Sequence, residues 1–510
     1  MTFNQARHHL VLLGIGLAGV ASVFPSIAQT AAEAESKSGA VVSPRVFLSE
    51  TITDNAGVNQ VNRTSEQVTE VGAGLRVNIN RSRVKTLFDF GLTSVNYAQK
   101  TSANRTQRAL ASNGSIEAID NFFFVDFGGT ISQQAVSAFG VQSLENSVFN
   151  PNRTEVAAYQ VSPRLVGQLG AFADYRVRLS RSVSTSDFSG SSSLTSSLGL
   201  SSKSVSRGLG WTTDVSRQDV SFSGGRPTQS NAANVGVTYR ASPELLLSSV
   251  AGRESNNFTG QEQSSGRTTG YRLNWNPSDF ASLTAGWNRR IFGSSHALAL
   301  EYRSARTVWR FSDTRDVSEF YSGAPFGNQG SNYDLLFKQF ESVEPDPIAR
   351  ALLVDAYLAN NGLSATSKVA IGLQTAAVAL QRKQDVSVAL LGVRDTITVA
   401  LSHAESTRLD TVSQASDDLL GAGVVSQSSF NLQLAHRLTP DYSLTMFYSA
   451  SRSSASSLAA DSSLKGVTVA LSGRLSRKSS ASVSVRHTSS SNSNTQFIEN
   501  VLSGNINYQF

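Results

Sequence analysis

Beyond its first 28 residues the chain alternates apolar and polar side chains with a period of two over nearly its whole length. A helix buries residues three or four apart, whereas alternation buries one face of a strand. In Glu70–Arg81, Val71, Ala73, Leu75, Val77 and Ile79 alternate with Arg76, Asn78 and Asn80. Tyr175, Val177 and Leu179 alternate with Arg176 and Arg178, and Tyr271, Leu273 and Trp275 with Arg272 and Asn274. Phe430, Leu432 and Leu434, and later Val467, Val469, Leu471 and Leu475, repeat the pattern. A one-residue slip would send every such side chain to the wrong face, so the register is strongly specified.

A soluble sandwich also alternates, and three further features decide against it. The alternating runs are often about 10–15 residues long, which suits a tilted bilayer crossing better than a soluble strand. Their polar faces are rich in Ser, Thr, Asn, Gly and Arg, residues that suit a wet lumen. Tight and long connections take turns. Asn80–Arg83, Ile119–Asn121, Leu169–Ala171, Ala241–Pro243, Asn276–Asp279, Arg382-Lys383, Thr439–Asp441 and Arg477-Lys478 read as tight turns. Between them lie polar stretches such as 54–66, 135–152, 256–266, 406–424, 453–463 and 489–499. Short periplasmic turns and long extracellular loops are the asymmetry of outer-membrane barrels. Near the insert, strands are expected at 367–381 and 384–405, the latter as one long strand bulged near Leu390–Gly392. The expected fold is all-β: a transmembrane antiparallel β-barrel of about 22 strands, an even number that leaves both termini periplasmic.

The first residues are set aside as a targeting segment. Leu10–Phe24 is apolar, too short to span a bilayer as a helix, and Ser26-Ile27-Ala28 offers a cleavage site. The expected organisation is a cleaved signal peptide at 1–28, a short periplasmic segment at 29–41, and the barrel at 42–510. The chain has no cysteine, which excludes disulfides and thiolate metal sites. His296, His403, His436 and His487 show no metal-ligand spacing, so neither metal nor cofactor is expected. The net charge is +6, but the arginines are dispersed singly along strands, which argues against a nucleic-acid partner. Ser–His–acid catalysis would need one of those histidines beside a nucleophilic serine and an orienting group. No G-x-S-x-G motif lies near any of them, and the chain is read as no enzyme.

Two features stand apart from the alternation. At the end of the chain Ile506, Tyr508 and Phe510 share one face, a terminal aromatic pattern of the kind that barrel-assembly machinery recognises. Residues 316–366 break the strand pattern. Asp346 is placed to cap a helix that starts with Pro347, carries Ile348, Leu352, Leu353, Ala356 and Tyr357 on one stripe, and stops at Gly362. Tyr333–Phe340 reads as a second short helix, and the small helical insert is extracellular or lumenal.

Several stretches together resemble one family. They are Leu48-Ser49-Glu50-Thr51 with Thr53-Asp54-Asn55, Ile131-Ser132-Gln133-Gln134 with Ala138-Phe139-Gly140, and Asn152-Arg153-Thr154-Glu155 leading to Val161-Ser162-Pro163. Phe172-Ala173-Asp174-Tyr175, Ser216-Arg217-Gln218, Arg290-Ile291-Phe292-Gly293 and 345–362 complete the set. The chain resembles the outer-membrane proteins associated with the PEP-CTERM/exosortase system. The barrel reading implies outer-membrane lipid and barrel-assembly machinery as partners. The resemblance implies company with protein-sorting and exopolysaccharide functions in diderm bacteria, hence an exopolysaccharide as a further partner, and carries over no catalytic residue. Two functions stay open. The first is a pore or export component whose lumen is lined by Arg176, Arg178, Arg272, Asn274, Asn288, Glu301, Arg303, Arg474 and Arg486. The second is a structural or adhesive barrel with a blocked lumen.

Overall fold

The computed structural model describes residues 39–57, 63–141, 143–144, 149–203, 208–318, 375, 377–412, 417–458 and 460–510. They form strands β1 (Ala40–Thr53), β2 (Glu66–Asn80), β3 (Val84–Tyr97), β4 (Arg105–Ile119), β5 (Phe123–Ala135), β6 (Arg153–Leu169) and β7 (Ala173–Thr185). Then come β8 (Gly190–Ser202), β9 (Leu209–Phe222), β10 (Thr228–Arg240), β11 (Leu245–Asn256), β12 (Ser264–Ser278), β13 (Ala281–Arg290), β14 (Gly293–Arg303) and β15 (Thr307–Ser318). The last are β16 (Ala379–Leu391), β17 (Asp395–Arg408), β18 (Val424–Arg437), β19 (Tyr442–Ala455), β20 (Asp461–Arg474), β21 (Ser479–Asn492) and β22 (Gln496–Gln509). Each strand pairs antiparallel with the next, and β1 closes on β22 from Arg45↔Gln509 to Thr53↔Val501. Closure leaves no sheet edge unpaired, the condition for crossing a bilayer with strands.

The alternation sorts the two faces. Val177, Leu179, Val235, Val237, Tyr271, Trp275, Val469, Val485, Leu502 and Ile506 are exposed on the outer face. Ser387, Thr398, Asn431, Gln433 and Ser449 are buried on the inner one. Even the shortest strand, β13 at 10 residues, is long enough to span the hydrocarbon when tilted. The closed barrel with an apolar exterior and polar interior is the architecture of an outer-membrane barrel.

The tight turns form where Gly, Asn and Pro set the dihedrals. Asn121 and Gly170 both take positive φ, 52° and 56°, and in each turn the N–H of the aromatic that follows within two residues, Phe122 or Phe172, bonds back to Ile119 or Leu169. Pro277, which cannot donate, coincides with the register shift between Trp275 and Ser278.

The region around the insert departs from expectation. Arg382-Lys383 is no turn: both residues lie inside β16, paired with Arg315 and Thr314. The turn falls at 392–394, where the Gly392 N–H bonds the Asp395 carbonyl at 2.7 Å, so 384–405 is parts of two strands and not one bulged strand. The count still reaches 22 because the expected strand at 367–381 is replaced by β16. The apolar phase change near Leu390–Gly392 marks a reversal of the chain. The insert's expected start is likewise displaced, since Asp316, Val317 and Ser318 continue β15. Residues 319–374, with both expected helices, and the signal peptide at 1–28 lie outside the described residues. Among the described residues there is no α-helix, only one 3-10 turn at Thr101–Ala103. At the other end, β1 begins at Ala40, inside the segment read as a periplasmic lead.

Candidate functional site

The inner face carries charge in a repeated arrangement. On β3, Asp89 meets Arg45 of β1 at 2.6 Å and Arg76 of β2 at 3.4 Å. On β5, Asp126 meets Arg178 of β7 at 2.7 Å and Arg164 of β6 at 3.0 Å, with Ser115 donating at 2.8 Å. Arg164 also stacks over Phe124, 4.1 Å from the ring centre. Each carboxylate is thus outnumbered by guanidiniums, and alternation explains how: these residues sit on neighbouring strands at inward positions.

All nine residues singled out in the sequence occupy that inner face, but they do different things. Arg178 is held by Asp126. Glu301 meets Arg310 at 3.5 Å, and Arg486 donates to the Thr468 hydroxyl at 3.2 Å. Arg303 and Arg474 lie at the periplasmic rim. The first donates to the Asp279 carbonyl and the second pairs with Asp441, both in turns. Asn288 lies across from Gly270, where a Cβ would collide with its amide. Asn274 faces Leu246 and Thr284 in the ladders. Arg176 and Arg272 are exposed and, among the described residues, engage no hydrogen bond or ion pair.

The extracellular mouth was not legible as a site, and it is the most elaborate part of the molecule. Residues 136–141, 143–144 and 149–152 of the β5–β6 connection make contacts across the mouth. Ser143 donates to buried Glu499 of β22 at 3.0 Å, and Ser462 of β20 donates to the Ala138 carbonyl at 2.7 Å. Residues 417–423 of the β17–β18 connection meet them: the Ala138 N–H and Ser137 hydroxyl donate to Asp418 at 2.6 and 2.9 Å. Ala138, Leu419, Ala422, Val425 and Ala379 pack together beneath these bonds. Arg226, from the β9–β10 loop, pairs with buried Asp410 at 3.2 Å and donates to the Asn257 carbonyl at 2.6 Å. Beside it Phe258 packs with Val220, Phe222 and Val378. These contacts join strands far apart around the ring, so the loops bridge the mouth. Burial, and to a lesser degree neighbouring Asp417, pushes the Asp418 carboxyl above its ordinary range. The folded loops therefore bind its proton more readily than the unfolded chain, and docking strengthens as pH falls through that raised value.

The four histidines lie on the outer face. His296 meets Asp313 at 3.1 Å, His436 meets Asp395 at 2.7 Å, and His487 meets Asn500 at 2.8 Å. His403 touches the Ser428 hydroxyl at 2.9 Å and Glu405 at 3.5 Å. Ser428 is paired on both sides, to His403 and Arg452, so the amides around it point into the ladders and offer no oxyanion pocket. Among the described residues no three His, Asp or Glu side chains converge on a metal position.

The terminal signal lies at the seam. Ile506 and Tyr508 pair with Leu48 and Val46 of β1, Tyr508 and Phe510 meet edge to face at 4.9 Å, and the Phe510 N–H bonds the Pro44 carbonyl at 3.0 Å.

No protein-family model matches the chain. No curated protein matches it either. Among solved structures it is similar to the FrpB iron transporter of Neisseria meningitidis (F5-1 variant), at 10% identity over 92% of this chain and 82% of that one, with a TM-score of 0.46. The siderophore receptor PirA of Pseudomonas aeruginosa gives 9% identity, 92% and 80% coverage, and a TM-score of 0.42. PirA of Acinetobacter baumannii gives 7%, the same coverages, and 0.45. At these values the likeness carries no inference about ligand or mechanism, and the architecture rests on this chain's own register.

Proposed function

We propose that the chain is a non-enzymatic outer-membrane conduit that favours anionic, hydroxyl-rich solutes and is gated at its extracellular mouth. The observation that carries this reading is the pair of inner-face guanidiniums without a partner among the described residues, Arg176 and Arg272, together with the inner-face carboxylates Asp89 and Asp126, each shared by two arginines. Arginine forks hydrogen-bond sugar hydroxyls and carboxylates, and a positive lumen concentrates anions. The family resemblance extends the reading to exopolysaccharide or its fragments, with export through a signal peptide at 1–28 and assembly through Ile506, Tyr508 and Phe510. Outer-membrane lipid contacts the apolar exterior.

The bridged mouth favours a second reading, a structural or adhesive barrel with a blocked lumen. Single-channel recording of the refolded chain in a planar bilayer under a KCl gradient separates the two. The conduit predicts small openings with anion preference, weakened in the Arg176→Ala, Arg272→Ala double variant. A silent wild type, or cation preference, would overturn it and leave the adhesive reading.

A further inference from the structure

We propose that the outer surface of β11–β13, at the extracellular rim, binds the phosphorylated headgroup of an outer-leaflet glycolipid. The register sets Arg253 directly across from Arg267, and Arg289 opposite Thr269, on the diagonal from Arg267. All three side chains are exposed on the outward face that also carries Leu247, Leu273 and Trp287. Like charges placed directly opposite on neighbouring strands repel and destabilise the pairing.

At another outward pair of directly opposed arginines the barrel supplies a carboxylate of its own. Arg315 also lies directly across from Arg382, and there Asp313 holds Arg382 at 2.8 Å. Two other outward arginines, Arg108 and Arg217, hold Glu155 at 2.6 Å and Asp219 at 3.0 Å. In β11–β13 no carboxylate comes from the described residues. Among these, Arg267 and Arg289 engage no hydrogen bond or ion pair, and Arg253 has one 3.4 Å contact, to the Ser265 hydroxyl. Glu262, in the adjoining loop, pairs with none of them.

The height of the cluster names the occupant. Tyr271 stacks on Trp287, with ring centres 6.4 Å apart and planes 15° from parallel, on the same outward face. Such aromatics mark the boundary between hydrocarbon and headgroups. Arg267 lies four residues above Tyr271 and Arg289 two above Trp287, roughly 13 and 7 Å along strands that rise ~3.3 Å per residue. The guanidiniums therefore stand at headgroup level, over a face that acyl chains cover. A phosphate there accepts paired N–H donors from two or three of them and relieves their repulsion.

The test uses the refolded full chain in nonionic detergent, titrated with bisphosphorylated lipid A and followed by its thermal unfolding midpoint. The site predicts a saturable rise with lipid A, none with dephosphorylated lipid A, and none with inorganic phosphate at matched concentration. The Arg253→Gln, Arg267→Gln, Arg289→Gln triple variant should lose affinity roughly tenfold or more. Arg181→Gln, outward on β7, five strands from β12, should titrate as wild type. Heat-modifiable gel mobility checks folding, and if the triple variant misfolds, Arg267→Gln alone carries the test. No rise for wild type, an equal rise with dephosphorylated lipid or inorganic phosphate, or unaltered titration of the variant would each overturn the proposal.

Discussion

At the extracellular mouth, Glu254 has a side chain only 1% exposed, and Arg290 grips it with two bonds of 2.7 and 3.0 Å. At the periplasmic turns, Arg83 meets Asp120 at 2.6 Å, yet their side chains are 58% and 64% exposed. The chemistry and the distance are the same, and water separates the two cases. A buried carboxylate has lost its hydration and depends on its partner, whereas an exposed one keeps most of its solvation when the partner is removed. The mouth is consequently where polar side chains hold the molecule together, and the turns are where backbone geometry does.

The largest expected effect breaks the buried pair. Glu254→Ala takes from Arg290 its buried carboxylate, leaving the more exposed Asp316 at 2.8 Å, and removes the acceptor to which the Asn256 amide donates at 2.8 Å. A loss of about 3–5 kcal/mol is expected. Urea unfolding of the chain in lipid vesicles measures it. A midpoint equal to wild type would mean that water reaches the mouth as freely as the turns.

A second test sharpens the contrast between faces. Leu273 lies outward between Leu247 and Ala285, and its neighbour Arg272 lies inward. Leu273→Arg places a charge in hydrocarbon and should cost roughly 2–4 kcal/mol, while Arg272→Ala, removing a residue with no partner among the described residues, should cost little. Equal unfolding midpoints for the two variants would contradict the assigned facing.

How legible each region was follows from the range of its interactions. The strands were readable because alternation is local: each residue's face is fixed by its neighbour's. The even count survived even where the hairpin 379–408 was misplaced by about ten residues, because Arg382-Lys383 resembles a turn in composition while Gly392 carries the real one. The mouth was unreadable for the opposite reason. Ser143 and Glu499 are 356 residues apart, and Ala138 and Ser462 are 324 apart. Nothing in a polar loop such as 136–152 says whether it faces water or folds inward. The inner-face arginines show a third case. Alternation assigns Arg474 and Arg303 a face, but their depth, at the rim beside Asp441 and Asp279, needs the turns in three dimensions.

The smallest effect belongs to the exposed pair. Asp120→Ala removes the carboxylate that Arg83 meets, but the turn's backbone bonds remain: the Arg81 N–H to the Val84 carbonyl and the Phe122 N–H to the Ile119 carbonyl. The solvated Arg83 side chain regains its rotamer freedom and its water, so the change should stay below about 1 kcal/mol and shrink further in high salt. The same vesicle unfolding assay, run at low and high ionic strength, reads it. A loss comparable to that of Glu254→Ala would show that the periplasmic turns are held by their ion pairs, and the distinction between the two ends would collapse.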